Sequence, residues 1–215
     1  MNHKNKYSLL MWDWNGTLLD DVGAALKSVN TMLARRGEEP IDLPSYHNYI
    51  DVPIRKFYEN IFDLEKEDFT GILKEYNDEY KVLMSEITLA QGAPEVLRHL
   101  RDAGVRQAIV SSSEQKQLRD AVKHFDLGGY FDAVLGAEDF FAGSKLERAR
   151  QYIGQNNIDP SGVLVVGDLL QDYEMARDVG ADCLLLSSGH HSAQKLSESG
   201  VAVIDEISRV LDEFK

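Results

Sequence analysis

Apolar residues in the first part of the chain recur at spacings of three and four. Val22, Ala25, Leu26, Val29, Met32 and Leu33 form one such run, Ile54, Phe57, Tyr58 and Ile61 a second, and Phe69, Ile72, Leu73, Tyr76, Tyr80 and Leu83 a third. That period puts each run on one face of a helix. Pro40, Pro44 and Pro53 divide the runs, because proline lacks the amide N–H and crowds the preceding turn. Residues 20–88 therefore read as a small helical bundle inserted after a short apolar strand that ends at Trp12. From Gly92 onward the rhythm changes. Val96, Leu97, Leu100 and Ala103 give a helix face that stops at Gly104, and strands are predicted at 107–110, 132–135, 163–166, 183–186 and 201–204. Helices fall between them, with Leu118, Ala121, Val122 and Phe125 forming one stripe and Ile207, Val210, Leu211 and Phe214 another. Such alternation predicts an α/β fold: a parallel sheet covered by helices on both faces, built from residues 1–19 and 89–215, with 20–88 as an α-helical insertion. The pattern shows no internal repeat and no low-complexity segment.

Length and charge narrow the classes of function. The 215 residues suffice for one sizeable core with a small second unit. No segment approaches the roughly 20 apolar residues needed to span a bilayer, and the polar start of the chain lacks the apolar stretch of a signal peptide, so a cytoplasmic location is the expectation. A formal net charge of -13 argues against nucleic acid and anionic membranes as partners, which need a cationic face. The lone cysteine, Cys183, lies in an apolar run and reads as a small core residue. Oligomeric state is not encoded in any visible pattern, and a monomer is the default.

Polar chemistry gathers where strands end. Leu9 to Trp12 run straight into Asp13, followed by Trp14-Asn15-Gly16-Thr17. A carboxylate at the carboxyl end of a strand sits where open α/β sheets hold ligands, and it can attack a phosphoryl group if a metal and a cation offset the negative charge. Read alone, Asn-Gly between apolar residues is equally a hairpin turn, and Asp there a cap. Three further segments follow in order: Ser111-Ser112-Ser113 after a strand, Gly143-Ser144-Lys145 opening a helix, and Gly167-Asp168 with Asp172 four residues on. The serines offer hydroxyls and amides to phosphate oxygens at a helix start, though any loop and N-cap shows the same residues. Lys145 opposes the dipole of its helix and so calls for an anion nearby. Asp13 and Asp168 are the hard oxygen ligands that Mg²⁺ takes, and Asp172 lies one turn further along the same helix face. With the chain so acidic overall, Mg²⁺ and Lys145 are the suppliers of local positive charge.

This ordered set resembles the haloacid dehalogenase superfamily, over essentially the whole chain, and most closely its small-metabolite phosphatases with an α-helical cap inserted between the first two motifs. The resemblance implies a Rossmann-like core, an Mg²⁺-dependent phosphatase acting on a small phosphorylated metabolite, and Asp13 as nucleophile forming an aspartyl-phosphate. It implies Ser111, Ser112 and Lys145 as phosphate holders, and Asp13, the backbone carbonyl of Asn15, Asp168 and Asp172 as the metal centre. In the cap, Arg55 is expected to contact substrate, with Tyr46, His47 and Lys56 as further candidates; His190 and His191 stand in a loop that faces the site without being metal ligands.

One position departs from the family pattern: Asn15 stands where the family has a second Asp serving as general acid and base. An amide cannot carry that proton, and such help is worth about 10² to 10⁴ in rate. Esters with good leaving groups are therefore the expected substrates, and Asn15→Asp is expected to relieve the limit. Two other readings stay open at this stage. A dehalogenase would share Asp13 but has a metal-free design that Gly167-Asp168 counts against, and a phosphate-binding protein without turnover would be consistent with Asn15.

Overall fold

A computed structural model describes residues 6–138 and 144–214. In chain order the elements are β1 (Leu9–Trp12), β2 (Leu19–Asp20), α1 (Val22–Arg35), α2 (Leu43–Tyr49), α3 (Arg55–Glu59), α4 (Phe69–Leu83), β3 (Thr88–Leu89), α5 (Ala93–Asp102) and β4 (Arg106–Glu114). They continue with α6 (Gln115–His124), β5 (Ala133–Ala137), α7 (Lys145–Gln155), β6 (Val163–Gly167), α8 (Leu170–Val179), β7 (Asp182–Leu186), α9 (Ala193–Ser197) and β8 (Ala202–Ile204). Six strands form one parallel sheet in the order β5-β4-β1-β6-β7-β8, as the alternation predicts.

Strand β1 is central, and every residue of it is fully buried because both faces of the sheet are covered. Its alternation splits the core. Leu10 and Trp12 pack with Ile109, Leu164, Val166, Leu184 and the apolar face of α5 on one side. Leu9 and Met11 pack with Val110, Val165 and the inner residues Ala149, Ile153, Met175 and Ala176 of α7 and α8 on the other. After β1 the chain builds β4 and β5 on one flank, then β6, β7 and β8 on the other. The ends of β4, β1 and β6 thus border the crevice where strand order reverses, which is where ligands of open α/β sheets bind.

The helical runs of residues 22–76 make a hydrophobic cluster of their own, with Val29, Met32, Tyr46, Phe57, Tyr58 and Ile72 buried in it. The chain enters this region through β2 and leaves it through β3, and the two pair antiparallel, Leu19 opposite Leu89 and Asp20 opposite Thr88.

Some elements differ from the pattern-based expectation. Pro44 does not break a helix but occupies the first turn of α2, where its missing N–H has no partner to lose. The stripe from Ile207 to Phe214 winds as a 3-10 helix rather than an α-helix. The serines 111–113 do not form a loop: β4 runs on through Glu114, accommodated by a register shift against β5 between Val110 and Glu114. Cys183 is half-buried on β7 and packs against the second face of the core.

Candidate active site

Three adjacent strand exits and two helix starts converge. Asp13 directly follows β1, its backbone N–H donating to the Val166 carbonyl at 2.8 Å, and Asp168 directly follows β6. Asp172 lies in the first turn of α8, and its Oδ2 accepts the Leu169 N–H at 3.0 Å. Lys145 is the first residue of α7, fixed there by a capping box in which the Ser144 hydroxyl accepts the Glu147 N–H and the Glu147 carboxylate accepts the Ser144 N–H. Carboxylate oxygens of Asp13, Asp168 and Asp172 lie within 4.8 Å of one another, and all three residues are buried. The Lys145 ammonium sits 2.7 Å from Asp13 Oδ1 and 2.5 Å from Asp172 Oδ1.

One buried cation among three buried carboxylates leaves the cluster short of positive charge. Burial pushes Asp13 up to about 8, Lys145 pulls against it, and the Asp172 and Asp168 carboxylates add to the rise. Burial likewise lifts Asp168 to about 6, opposed by His190 and reinforced by Asp172. Lys145 is held above the usual lysine value: burial alone would lower it, and Asp13 and Asp172 more than offset that. Hard oxygen donors, close packing and a deficit of positive charge fit a divalent cation of the Mg²⁺ type.

The backbone closes tightly around this cluster. A Cβ on Gly16 or Gly189 would overlap the Asp168 carboxylate, and one on Gly167 would overlap Asp172. Gly16 also adopts φ +70, a left-handed conformation that side chains resist. Asp168 is held by the Thr17 hydroxyl, 2.9 Å from Oδ1, and by the His190 backbone N–H, 2.7 Å from Oδ2, so it is not the N-cap of α8.

A second polar group adjoins the first. The Asn15 amide donates to Asp21 Oδ2 at 2.7 Å, and its carbonyl oxygen accepts from the Ser113 hydroxyl at 2.8 Å. Asp21 also accepts from the Gly16 N–H at 2.7 Å and from the Tyr80 hydroxyl at 2.6 Å. His190 Nε2 lies 3.4 Å from Asp21 Oδ1, and its Nδ1 lies 2.8 Å from the Tyr46 hydroxyl.

Of the residues singled out by sequence, Asp13, Asn15, Ser111, Lys145, Asp168 and Asp172 are brought together at these strand ends. Ser111 is buried; its carbonyl accepts from Arg148 at 2.8 Å and its hydroxyl oxygen from the Ser113 N–H at 3.0 Å. Ser112, the next residue of the same strand, is exposed. Arg55 is not part of the cluster: it is exposed on α3, paired with Glu59 at 2.9 Å and stacked over Phe69. Lys56 is likewise turned outward, 3.3 Å from Asp51. Tyr46 reaches the site through His190, and the neighbouring His47 has its ring Nε2 buried without a hydrogen-bond partner. His191 bridges, its Nδ1 3.2 Å from the Leu170 N–H and its Nε2 3.2 Å from the Ile50 carbonyl. Gly143 lies outside the described residues.

Sequence reasoning missed Thr17, Asp21 and Tyr80. The pair Asp20-Asp21 was the available signal, but only packing reveals that Asp20 is exposed and Asp21 buried. Among the described residues no helix is long and apolar enough to cross a membrane.

Comparison with known proteins agrees with this geometry. The chain is 25% identical to the phosphoglycolate phosphatase of Pseudomonas syringae pv. tomato, over 94% of this chain and 78% of that protein. It is 24% identical to a 5'-nucleotidase of Pseudomonas aeruginosa, over 89% and 87% respectively. A haloacid dehalogenase-like hydrolase from Streptococcus pneumoniae superposes with a TM-score of 0.84 at 18% identity, covering 98% of this chain and 99% of that one. The profile of the haloacid dehalogenase-like hydrolases matches residues 10–186, and with that span, the order of its motifs and the sheet that gathers them, the chain belongs to this family of hydrolases.

Proposed function

We propose that this hydrolase is an Mg²⁺-dependent phosphatase of small phosphorylated metabolites that works through a phosphoryl group carried on Asp13. The observation that carries the reading is the Asp13 carboxylate itself: buried at the exit of the central strand, 2.7 Å from the Lys145 ammonium and beside Asp168 and Asp172. The names of the two relatives, a phosphoglycolate phosphatase and a 5'-nucleotidase, are those of phosphomonoester hydrolases and support the same class.

The residues divide the work as follows. Asp13, Asp168, Asp172 and the backbone carbonyl of Asn15 would hold Mg²⁺, which when bound supplies the positive charge that lets an anionic nucleophile meet an anionic phosphoryl group. An Asp13 oxygen attacks phosphorus as the ester P–O bond breaks, and the departing alkoxide takes a proton from solvent; water then attacks the aspartyl-phosphate, returning its proton to solvent and releasing inorganic phosphate and free Asp13. Lys145 and Ser111 would hold phosphoryl oxygens through this exchange, the lysine already oriented by Asp172. Asn15 carries no proton to the alkoxide, so aryl and acyl phosphates are expected to turn over faster than alkyl phosphates. The helical region of residues 20–88 serves as the cap over the crevice, with Asp21, Tyr46 and Tyr80 among its points of contact with the site.

Turnover of p-nitrophenyl phosphate, acetyl phosphate and a panel of phosphorylated metabolites, with Mg²⁺ and with chelator, tests the reading, once mass spectrometry has shown Asn15 intact. Asp13→Asn is expected to abolish turnover while leaving the melting temperature close to that of the parent. Activity that survives chelation, near-parental rates in Asp13→Asn, or no hydrolysis of any ester would overturn it.

A further inference from the structure

We propose that Asp21 is a positioning residue for the nucleophile loop, and that it forms with Asn15 a matched acceptor–donor pair in which the carboxylate absent from position 15 stands at position 21. For its kinetic readout the proposal rests on the phosphatase reading above; its thermal readout does not.

Asp21 occupies the N-cap position of α1, where an aspartate ordinarily accepts N–H groups of its own helix, yet its side chain makes no such bond. Both oxygens are instead turned toward the loop that carries Asp13. Oδ1 accepts the Gly16 N–H, and Oδ2 accepts the Asn15 amide and the Tyr80 hydroxyl. The residue is 1% exposed, so these donors stand in for water around a buried charge. The Asn15 amide is fixed from its other end, because its carbonyl oxygen receives the Ser113 hydroxyl from β4. With that acceptor in place, the NH₂ group faces Asp21, as the surrounding donors require. Every partner comes from a different part of the fold: the loop after β1, the end of β4, helix α4, and, through His190 and Tyr46, the loop after β7 and helix α2.

The pairing reverses what the sequence alone suggests for Asn15→Asp. A carboxylate at 15 would bring two anionic oxygens to the 2.7 Å separation now bridged by an amide N–H, and would strip Asp21 of a donor. Exchanging both residues restores the match with opposite polarity. The amide placed at position 21 would donate to the carboxylate placed at position 15 while its own carbonyl oxygen keeps the Gly16 N–H. Tyr80, 3.1 Å from the Asn15 amide nitrogen, would turn its proton to the carboxylate that replaces that amide.

The test is a cycle of Asn15→Asp, Asp21→Asn and the double exchange in the full chain, followed by melting temperature and by kcat and KM for p-nitrophenyl phosphate with Mg²⁺. Each single change is expected to lower the melting temperature and to reduce kcat by about tenfold or more with little change in KM, and the exchange to regain most of both. Losses that simply add, or a rise in kcat for Asn15→Asp with Asp21 in place, would overturn the proposal. So would an exchange that regains the melting temperature but not kcat, since the pair would then only pack. If the parent hydrolyses no ester, the phosphatase reading fails, and the thermal cycle alone decides: recovery supports the pair and additivity rejects it. If the single variants do not fold, Tyr80→Phe, which removes one donor from Asp21 without changing charge, is expected to lower kcat or the melting temperature, and no change in either overturns the proposal.

Discussion

Two neighbouring histidines are driven in opposite directions by what they touch. Burial alone would lower His190, but Asp21 and, further off, Asp168 and Asp13 outweigh it and hold it at about 9. His191 is lowered to about 4 by burial, with Lys195 adding to the fall, and the Leu170 N–H and Ile50 carbonyl suit a neutral ring with its proton on Nε2. For His191 the folded value lies below the ordinary 6.5, so between about 6.5 and 4 the unfolded chain binds a proton that the folded chain refuses. Its contribution is therefore complete above pH 6.5 and is lost as pH falls toward 4, by roughly 3 kcal/mol. Urea unfolding at pH 7.5 and pH 5 checks this: His191→Gln should be less stable than the parent at pH 7.5, with a gap that narrows at pH 5. An unchanged gap would show that His191 takes up its proton in both states alike.

What could be read at this scale from the sequence was the chemistry tied to strand ends. Asp13, Lys145, Asp168 and Asp172 each adjoin a boundary that hydrophobic periodicity marks, so their convergence follows once the sheet is parallel. Asp21 and Tyr80 were not legible, because their meeting joins residues 59 apart through the packing of α1 and α4. Arg55 stands apart from the cluster for the opposite reason. A cation on a short helix looks available, whereas one turn away Glu59 takes it up on the solvent side.

Among the elements, α7 bears most directly on the site because its first residue is Lys145. The ammonium opposes the dipole of that helix, and the capping box of Ser144 and Glu147 helps offset the cost by satisfying N–H groups of the first turn. Ser144→Ala is expected to destabilise the chain by about 1 kcal/mol in urea. It should also lower turnover more than a surface change of equal thermal effect, because Lys145 loses its fixed anchor. Equal losses for the two would mean that the ion pairs with Asp13 and Asp172 hold the lysine unaided. The strand and helix stripes were legible because burial enforces periods of 2 and 3.6 wherever the core is continuous. The extension of β4 through Glu114 was not, since a polar run signals a loop unless a partner strand claims it, as β5 does where Ala137 pairs with Glu114. Nor does an apolar stripe distinguish an α from a 3-10 winding over the eight residues Ile207–Phe214.

For the molecule as a whole, a cation held by the carboxylate cluster would make its binding and folding one equilibrium. A ligand bound only by the folded chain stabilises it by an amount that grows with concentration over Kd, about 2.7 kcal/mol at a hundredfold excess. Because Asp13 and Asp168 are lifted to about 8 and about 6, an Mg²⁺ ion bound there would compete with a proton on Asp13 at neutral pH and with protons on both carboxyls at pH 6 and below. The rise in melting temperature with Mg²⁺ should therefore be larger at pH 8 than at pH 6, and Asp168→Asn should diminish it at both. A Mg²⁺ effect independent of pH would mean that the ion binds elsewhere.

The short ribbon of β2 and β3 has a consequence for how such a protein can be altered. Since Leu19 faces Leu89 across one pair of backbone ladders, the chain departs from the sheet domain and comes back to it at a single doorway. Whatever lies between can lengthen, shorten or be exchanged for a foreign segment without rerouting any strand of the sheet, provided its two ends meet side by side. Recombination at these two positions would exchange the whole helical segment in one step, but Asp21 and Tyr80 would leave with it, so a foreign segment would have to bring its own partners for the Asn15 amide and the Gly16 N–H.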